Sequence, residues 1–215
     1  VFNLSDRRLY LCVAQRDDMS SFLPAVIEGG VDVVQLRDKE TAFADQIDTA
    51  RLMRAVCREY SVPFIMNDSP ESALEVGADG VHVGQDDVSV ARCREILGAG
   101  AIIGLSTHSN EEFDAALGED ATYFSAGPIT PTPTKPGRAG TGIAYALSSQ
   151  RRSDRPVFVT GGVNVDTIGA LVGAGLRHFV VVRALTESVN PGETARALRD
   201  ALDEALSSVT VEPPQ

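Results

Sequence analysis

The sequence predicts a single (β/α)8 barrel spanning residues 1–215. Short apolar runs alternate with longer segments of helical spacing, eight of each, and the connections between them are short. Strict β-α alternation calls for parallel strands joined by right-handed crossovers, and eight such units are the number that closes a barrel. An open doubly wound sheet is the competing arrangement, but it usually has fewer units and a Gly-rich dinucleotide loop after its first strand. Here that loop reads AQRDD.

Residues 10–14 form a short apolar run closed by Gln15, Arg16 and Asp17, as expected of a strand buried on both faces. A helical segment over 22–27 ends at Gly29 and Gly30, and residues 31–36 form the second strand, ending in QLRDK. A long helix follows over 41–60, with Phe43, Ile47, Ala50 and Cys57 at helical spacing. The third strand, 63–66, ends in Asn67 and Asp68. Ser69 and Pro70 then start a helix that stops at Gly77, because Ser caps orphan amides and Pro is tolerated in the first turn. Strand four, 80–83, leads into GQDD, and Val90, Cys93, Ile96 and Leu97 mark one face of a helix closed by Gly98. Strand five, 101–105, ends at Ser106, and Ser109 with Glu112 has the S-x-x-E spacing of a capping box for a helix reaching Gly118. Strand six, 122–126, enters the loop GPITPTPTK. A short helix over 143–149 precedes strand seven, 156–159, after which Gly161 and Gly162 lead to a helix that Asn164 can cap. Strand eight is 177–182. Asn190, Pro191 and Glu193 open the last helix, striped by Ala195, Leu198, Leu202 and Leu206, and a polar tail, about 210–215, frays beyond it.

Composition excludes several function classes. A formal charge of −11 argues against a general polyanion surface and hence against nucleic acid as a partner. Cys12, Cys57 and Cys93 are too few and too widely spaced for a disulfide framework or a CxxC metal site, so buried free thiols are expected. No apolar run approaches the roughly 18 residues of a membrane span. The expectation is a cytoplasmic protein with no membrane partner, with a homodimer left open.

The loop 127–135 carries three prolines alternating with threonines, so neither helix nor interior strand can continue there. Thr130, Thr132, Thr134 and Lys135 suit a ligand rich in oxygen and negative charge, although a Pro-rich surface turn with incidental threonines reads equally well from this stretch alone. In a barrel the loops after the strands share one rim, and that rim holds the active site. Arg37 and Lys39 follow strand two, Asn67 and Asp68 strand three, Asp87 strand four, Ser106 strand five and Gly162 strand seven. Each has a plain alternative, as a cap, a solvated pair or a tight turn. Their convergence favours a site. Two carboxylates on adjacent strand ends suit a hard cation such as Mg²⁺, with Arg37, Lys39 and Lys135 around the same anion. The Gly161-Gly162 turn before a helix is a second anion site. None of the histidines suggests a catalytic base: His82 reads as an interior residue, His178 lies at the wrong end of the barrel, and His108 stands near the rim. Chemistry governed by charge stabilisation is expected.

QLRDK, Asn67-Asp68, GQDD, GLSTH, GPITPTPTK and TGGV, in this order across six strand ends, resemble the thiamine-phosphate synthase (thiamine-phosphate pyrophosphorylase) family. The resemblance implies a transferase of thiamine biosynthesis that joins hydroxymethylpyrimidine diphosphate to a thiazole phosphate with Mg²⁺, releasing pyrophosphate. By motif position, Gln35, Arg37, Lys39, Asn67, Ser106 and Lys135 would hold the pyrimidine diphosphate, with Arg37, Lys39, Ser106 and Lys135 as the catalytic set. Asp68 and Asp87 would bind the metal. Thr132, Thr134, Gly162 and the Val182 to Arg183 segment would hold the thiazole phosphate. Arg183 departs from the small polar residue of many relatives; a phosphate contact and an outward pairing with Glu187 are both open to it. A thiazole tautomerase-like barrel and a non-catalytic phosphate sensor are the alternative functions.

Overall fold

The computed structural model describes residues 2–132 and 139–209. Eight parallel strands close a barrel in chain order, making a single (β/α)8 fold. The strands are β1 (Leu9–Val13), β2 (Val33–Leu36), β3 (Phe64–Asn67), β4 (Gly80–Val83), β5 (Ile102–Thr107), β6 (Tyr123–Ala126), β7 (Val157–Val159) and β8 (His178–Val181). Around them run α1 (Met19–Glu28), α2 (Phe43–Glu59), α3 (Pro70–Val76), α4 (Val90–Leu97), α5 (Asn110–Ala116), α6 (Ile143–Arg152), α7 (Val165–Gly173), α8 (Arg183–Thr186) and α9 (Pro191–Val209).

The strands alternate in the side they face, and this alternation builds two cores. Outward residues such as Leu9, Leu11, Val34, Phe64 and Val81 pack beneath the helices. Inward residues Tyr10, Val33, Ile65, Ile102, Tyr123 and Phe158 fill the barrel itself, with Leu4 closing its N-terminal end. Because both faces are covered, the strands read as continuous apolar runs. Cys12, Cys57 and Cys93 are buried thiols that form no disulfide. No helix is long and apolar enough to cross a membrane, among the described residues.

Capping chemistry sets several helix starts. Ser69 accepts from the Ser72 amide, Ser89 from Arg92 and Ser109 from Glu112, while Asn164 and Thr167 form a reciprocal capping box. Three expectations need correction. The Glu112 carboxylate does not return to the Ser109 amide; it accepts from the backbone amide of His108 at 2.7 Å and from His108 Nδ1 at 2.9 Å, so it secures the residue before the cap. The expected alternation of eight helices also misses α8, whose four residues are too short to display a helical period. Strand β5 runs beyond its expected end to Thr107, which puts Ser106 inside the sheet, paired in register with Ser125.

Candidate active site

A cavity of about 710 Å³ opens at the C-terminal ends of the strands and reaches down into the barrel. Gln35, Arg37, Lys39, Asn67, Asp68, Asp87 and Ser106 all line it, as do Thr132, Gly162, Val182 and Arg183. Thr134 and Lys135 lie outside the described residues.

One sector of the rim is charged. Asp68 follows β3 directly, and its amide donates to the His82 carbonyl at 2.8 Å, extending the sheet by one bond. Its φ of 64° is left-handed, a conformation that Asp tolerates better than most residues because its short polar side chain can bond locally. Lys39 Nζ sits 2.8 Å from Asp68 Oδ2. Burial holds the Asp68 carboxyl above its ordinary value; the Lys39 bond works against this, and the nearby Asp87 reinforces it. Asp87 in turn accepts the Gly84 amide at 2.7 Å, which folds the GQDD turn back toward β3. The two carboxylates are therefore neighbours in space although 19 residues apart in sequence (87 − 68 = 19).

The opposite sector is built of backbone. Gly161 and Gly162 have φ of +96° and +74°, a left-handed pair that side chains rarely adopt. A Cβ on Gly162 would also lie 2.7 Å from the Thr130 hydroxyl, so the turn and the proline loop touch. That loop is pinned at both described ends: Ile129 N donates to Thr160 O at 2.8 Å, and Thr141 N donates to Pro128 O at 2.8 Å. Beside the turn, α8 starts at Arg183, and the first amides of a helix have no intrahelical acceptor. The Arg183 guanidinium Nε lies 2.8 Å from Glu187 Oε1, with both side chains exposed at the cavity mouth. In the structure, then, Arg183 makes the outward pairing.

The cavity floor carries residues that the sequence reading left out. Tyr10, Cys12, Tyr123 and Ser125 line it together with Gln35, His82 and Ser106. They occupy inward positions of strands whose apolar neighbours masked them; a period-two reading of LYLCV and YFSA would have set Tyr10, Cys12, Tyr123 and Ser125 on one face. His82 is satisfied in the interior as expected, through Tyr123 Oη at 2.9 Å and Ser106 Oγ at 2.8 Å. His108 and Glu112 stand together at the rim. His178 lies at the far end, bonded to the Arg7 carbonyl.

A family model described as thiamine monophosphate synthase matches residues 9–185, from the first strand into α8. The chain belongs to that family. Its relatives include the thiamine-phosphate synthase of Acidothermus cellulolyticus, 41% identical over 198 residues, covering 90% of this chain and 93% of that protein. The thiamine-phosphate synthase of Mycobacterium tuberculosis is 39% identical over 216 residues, covering 94% and 97%. Among solved structures, the thiamine phosphate pyrophosphorylase of Pyrococcus furiosus matches with a TM-score of 0.83 at 27% identity, covering 93% of this chain and 96% of that one. The family match ends at Leu185, so it includes the Gly161-Gly162 turn and most of α8.

Proposed function

We propose that this member of the thiamine monophosphate synthase family condenses 4-amino-5-hydroxymethyl-2-methylpyrimidine diphosphate with 4-methyl-5-(2-phosphoethyl)thiazole, or its carboxylate form, to give thiamine phosphate and pyrophosphate, with CO2 released as well when the carboxylate form reacts. The observation that carries the reading is the division of one cavity into a carboxylate-and-cation sector and a glycine-turn sector, as two separate phosphate-bearing substrates require.

Asp68 and Asp87 fit a bound Mg²⁺. Asp68 is partly buried beside Asp87, and this carboxylate pair would gain from positive charge, of which Lys39 supplies part at 2.8 Å. Two carboxylates together with phosphate oxygens and water are a donor set of the kind Mg²⁺ takes. When bound, the metal would supply Lewis-acid neutralisation of the leaving diphosphate. Arg37 and Lys39 would clamp the diphosphate, and Lys135 joins them on sequence grounds. The C–O bond at the pyrimidine methylene breaks with both electrons leaving on the diphosphate oxygen. The thiazole nitrogen then closes the C–N bond with its own lone pair, so no base has to remove a proton. Thr132, the Gly161-Gly162 turn and the amides of Val182 and Arg183 would hold the thiazole phosphate; Thr134 is assigned there by sequence.

Thermal shift with pyrophosphate, with and without Mg²⁺, tests the charged sector. Wild-type protein should be stabilised only when both are present, and Asp68→Ala or Asp87→Ala should lose that shift and the two-substrate reaction together while remaining folded. A metal-independent shift, or product formation by both variants in excess EDTA, would overturn the reading. Binding of the thiazole phosphate alone would instead favour a phosphate sensor.

A further inference from the structure

Seven side chains in the barrel form one continuous run of hydrogen bonds, far more than packing requires. Cys12 Sγ donates to Gln35 Oε1 at 3.0 Å, and Gln35 Nε2 donates to Tyr10 Oη at 3.1 Å. Tyr10 Oη lies 2.8 Å from Tyr123 Oη, which lies 2.9 Å from His82 Nδ1. His82 Nε2 is 2.8 Å from Ser106 Oγ, and Ser106 Oγ is 3.2 Å from Ser125 Oγ. Both ends of the run face the same cavity. Gly104 makes the central link fit: a Cβ there would come within 2.3 Å of His82 Nδ1 and 2.4 Å of the Tyr123 hydroxyl.

Such a run has a direction, because each hydroxyl has a single proton to give. Tyr10 accepts from the Gln35 amide, so its own proton goes to Tyr123. Tyr123 then gives its proton to His82 Nδ1, and neutral His82 donates from Nε2 to Ser106. Burial raises both tyrosine phenols well above their ordinary value, so both stay protonated donors. Toward the cavity, Gln35 Oε1 keeps a second lone pair beside the one that Cys12 occupies, and Ser106, with Ser125 as the donor of their shared bond, accepts from His82 and Ser125 and keeps its own hydroxyl proton to donate.

We propose that this run fixes the hydrogen-bond polarity of the pyrimidine pocket, with Tyr10, Tyr123 and His82 as positioning residues that select an amino-bearing ring over its oxo counterpart. The proposal rests on the pyrimidine reading given above. A 4-aminopyrimidine offers an amino donor beside a ring-nitrogen acceptor, matching an accepting Gln35 and a donating Ser106. A 4-oxo ring in its N–H form offers the reverse, an acceptor beside a donor. To accept it, the amide, both phenols, the imidazole tautomer and the serine would all have to turn over together, and partial reversal would leave buried groups unpaired.

Equilibrium binding of the 4-amino and 4-oxo pyrimidine diphosphates, with Mg²⁺, tests the proposal without relying on turnover. Wild-type protein should prefer the amino form by about a hundredfold or more, as sites built to hydrogen-bond a ligand do. Tyr123→Phe and Tyr10→Phe, which keep their rings but cut the run, should each narrow that preference at least tenfold while leaving thiazole phosphate binding unchanged. His82→Gln, whose amide nitrogen can still donate to Ser106, should keep more of the preference than His82→Leu. The inference falls if the wild type binds both rings equally, or if the preference survives intact in both phenylalanine variants. Selective binding of the amino diphosphate without thiamine phosphate formation would sink the proposed reaction and leave the inference standing; failure to bind either ring would sink both.

Discussion

Arg183 illustrates how little separates a surface pair from a ligand contact at this rim. Its guanidinium is held by Glu187 one helical turn away, yet both side chains border the cavity beside the Gly161-Gly162 turn. A phosphate arriving at that turn would compete with an exposed carboxylate, and exposed ion pairs give way easily. Arg183→Ser should therefore raise the Michaelis constant for the thiazole phosphate roughly tenfold while leaving that for the pyrimidine diphosphate nearly unchanged. Steady-state kinetics with each substrate varied in turn decides it, and an unchanged thiazole constant would assign Arg183 to the Glu187 pair. Asp68 presents a different residue-scale feature. A left-handed non-glycine residue costs about 1 kcal/mol or more, and such positions cluster at functional sites. Here the unusual backbone sits next to β3, beside Lys39 and Asp87, where the charged sector is assembled.

Among the elements, α7 holds the glycine turn assigned above to the thiazole phosphate. Asn164 accepts from the amides of Asp166 and Thr167 at 2.9 and 3.0 Å, and Thr167 Oγ1 donates to the Gly162 carbonyl at 2.8 Å. The capping box therefore holds both the helix start and the glycine turn that precedes it. Asn164→Ala should lower stability by about 1 kcal/mol, read from denaturant midpoints, and weaken thiazole phosphate binding more than pyrimidine diphosphate binding. Equal weakening of both substrates would show that the cap acts only on the fold. The Ser109 cap of α5 differs. Its Glu112 binds His108 rather than the cap amide, and the expected box becomes a rim anchor. Spacing reveals that a serine and a glutamate lie three residues apart; which donor the carboxylate reaches depends on the turn after β5.

For the whole molecule, the end of the barrel opposite the cavity governs acid stability. His178 is buried, its Nδ1 is 2.6 Å from the Arg7 carbonyl, and its Nε2 is 3.0 Å from the Arg8 guanidinium, an arrangement that suits the neutral ring. Burial lowers its pKa to about 4, with the charges of Arg8 and Arg177 adding to the effect and the Arg7 carbonyl opposing it. The folded value lies below the unfolded one, so the unfolded chain takes up the proton first. Stability should thus be undiminished above about pH 6.5 and fall as pH drops toward 4, by on the order of 3 kcal/mol. Asp32, raised by burial against the pull of Arg199, acts in the opposite sense: the folded state retains its proton more firmly, so its contribution falls as pH rises through the carboxylate range. Urea midpoints at about pH 7.5 and pH 5 should therefore differ more in wild type than in His178→Gln, and equal differences would refute the assignment. The same division of labour explains what could be read in advance. Alternation of apolar runs with capped helical segments determined the barrel, and the loops after the strands determined the rim: Arg37, Lys39, Asn67, Asp68, Asp87 and Gly162 all reach the cavity. Those features are local, because periodicity and turn chemistry act within a few residues. The interior run was decided only by closure of the barrel. Tyr10 and Tyr123 are 113 residues apart in sequence, and no local rule distinguishes a strand tyrosine that packs from one that meets another hydroxyl at 2.8 Å across the barrel. Strand register, the space left by Gly104 and the shared axis place those side chains together, and these exist only once all eight strands have paired.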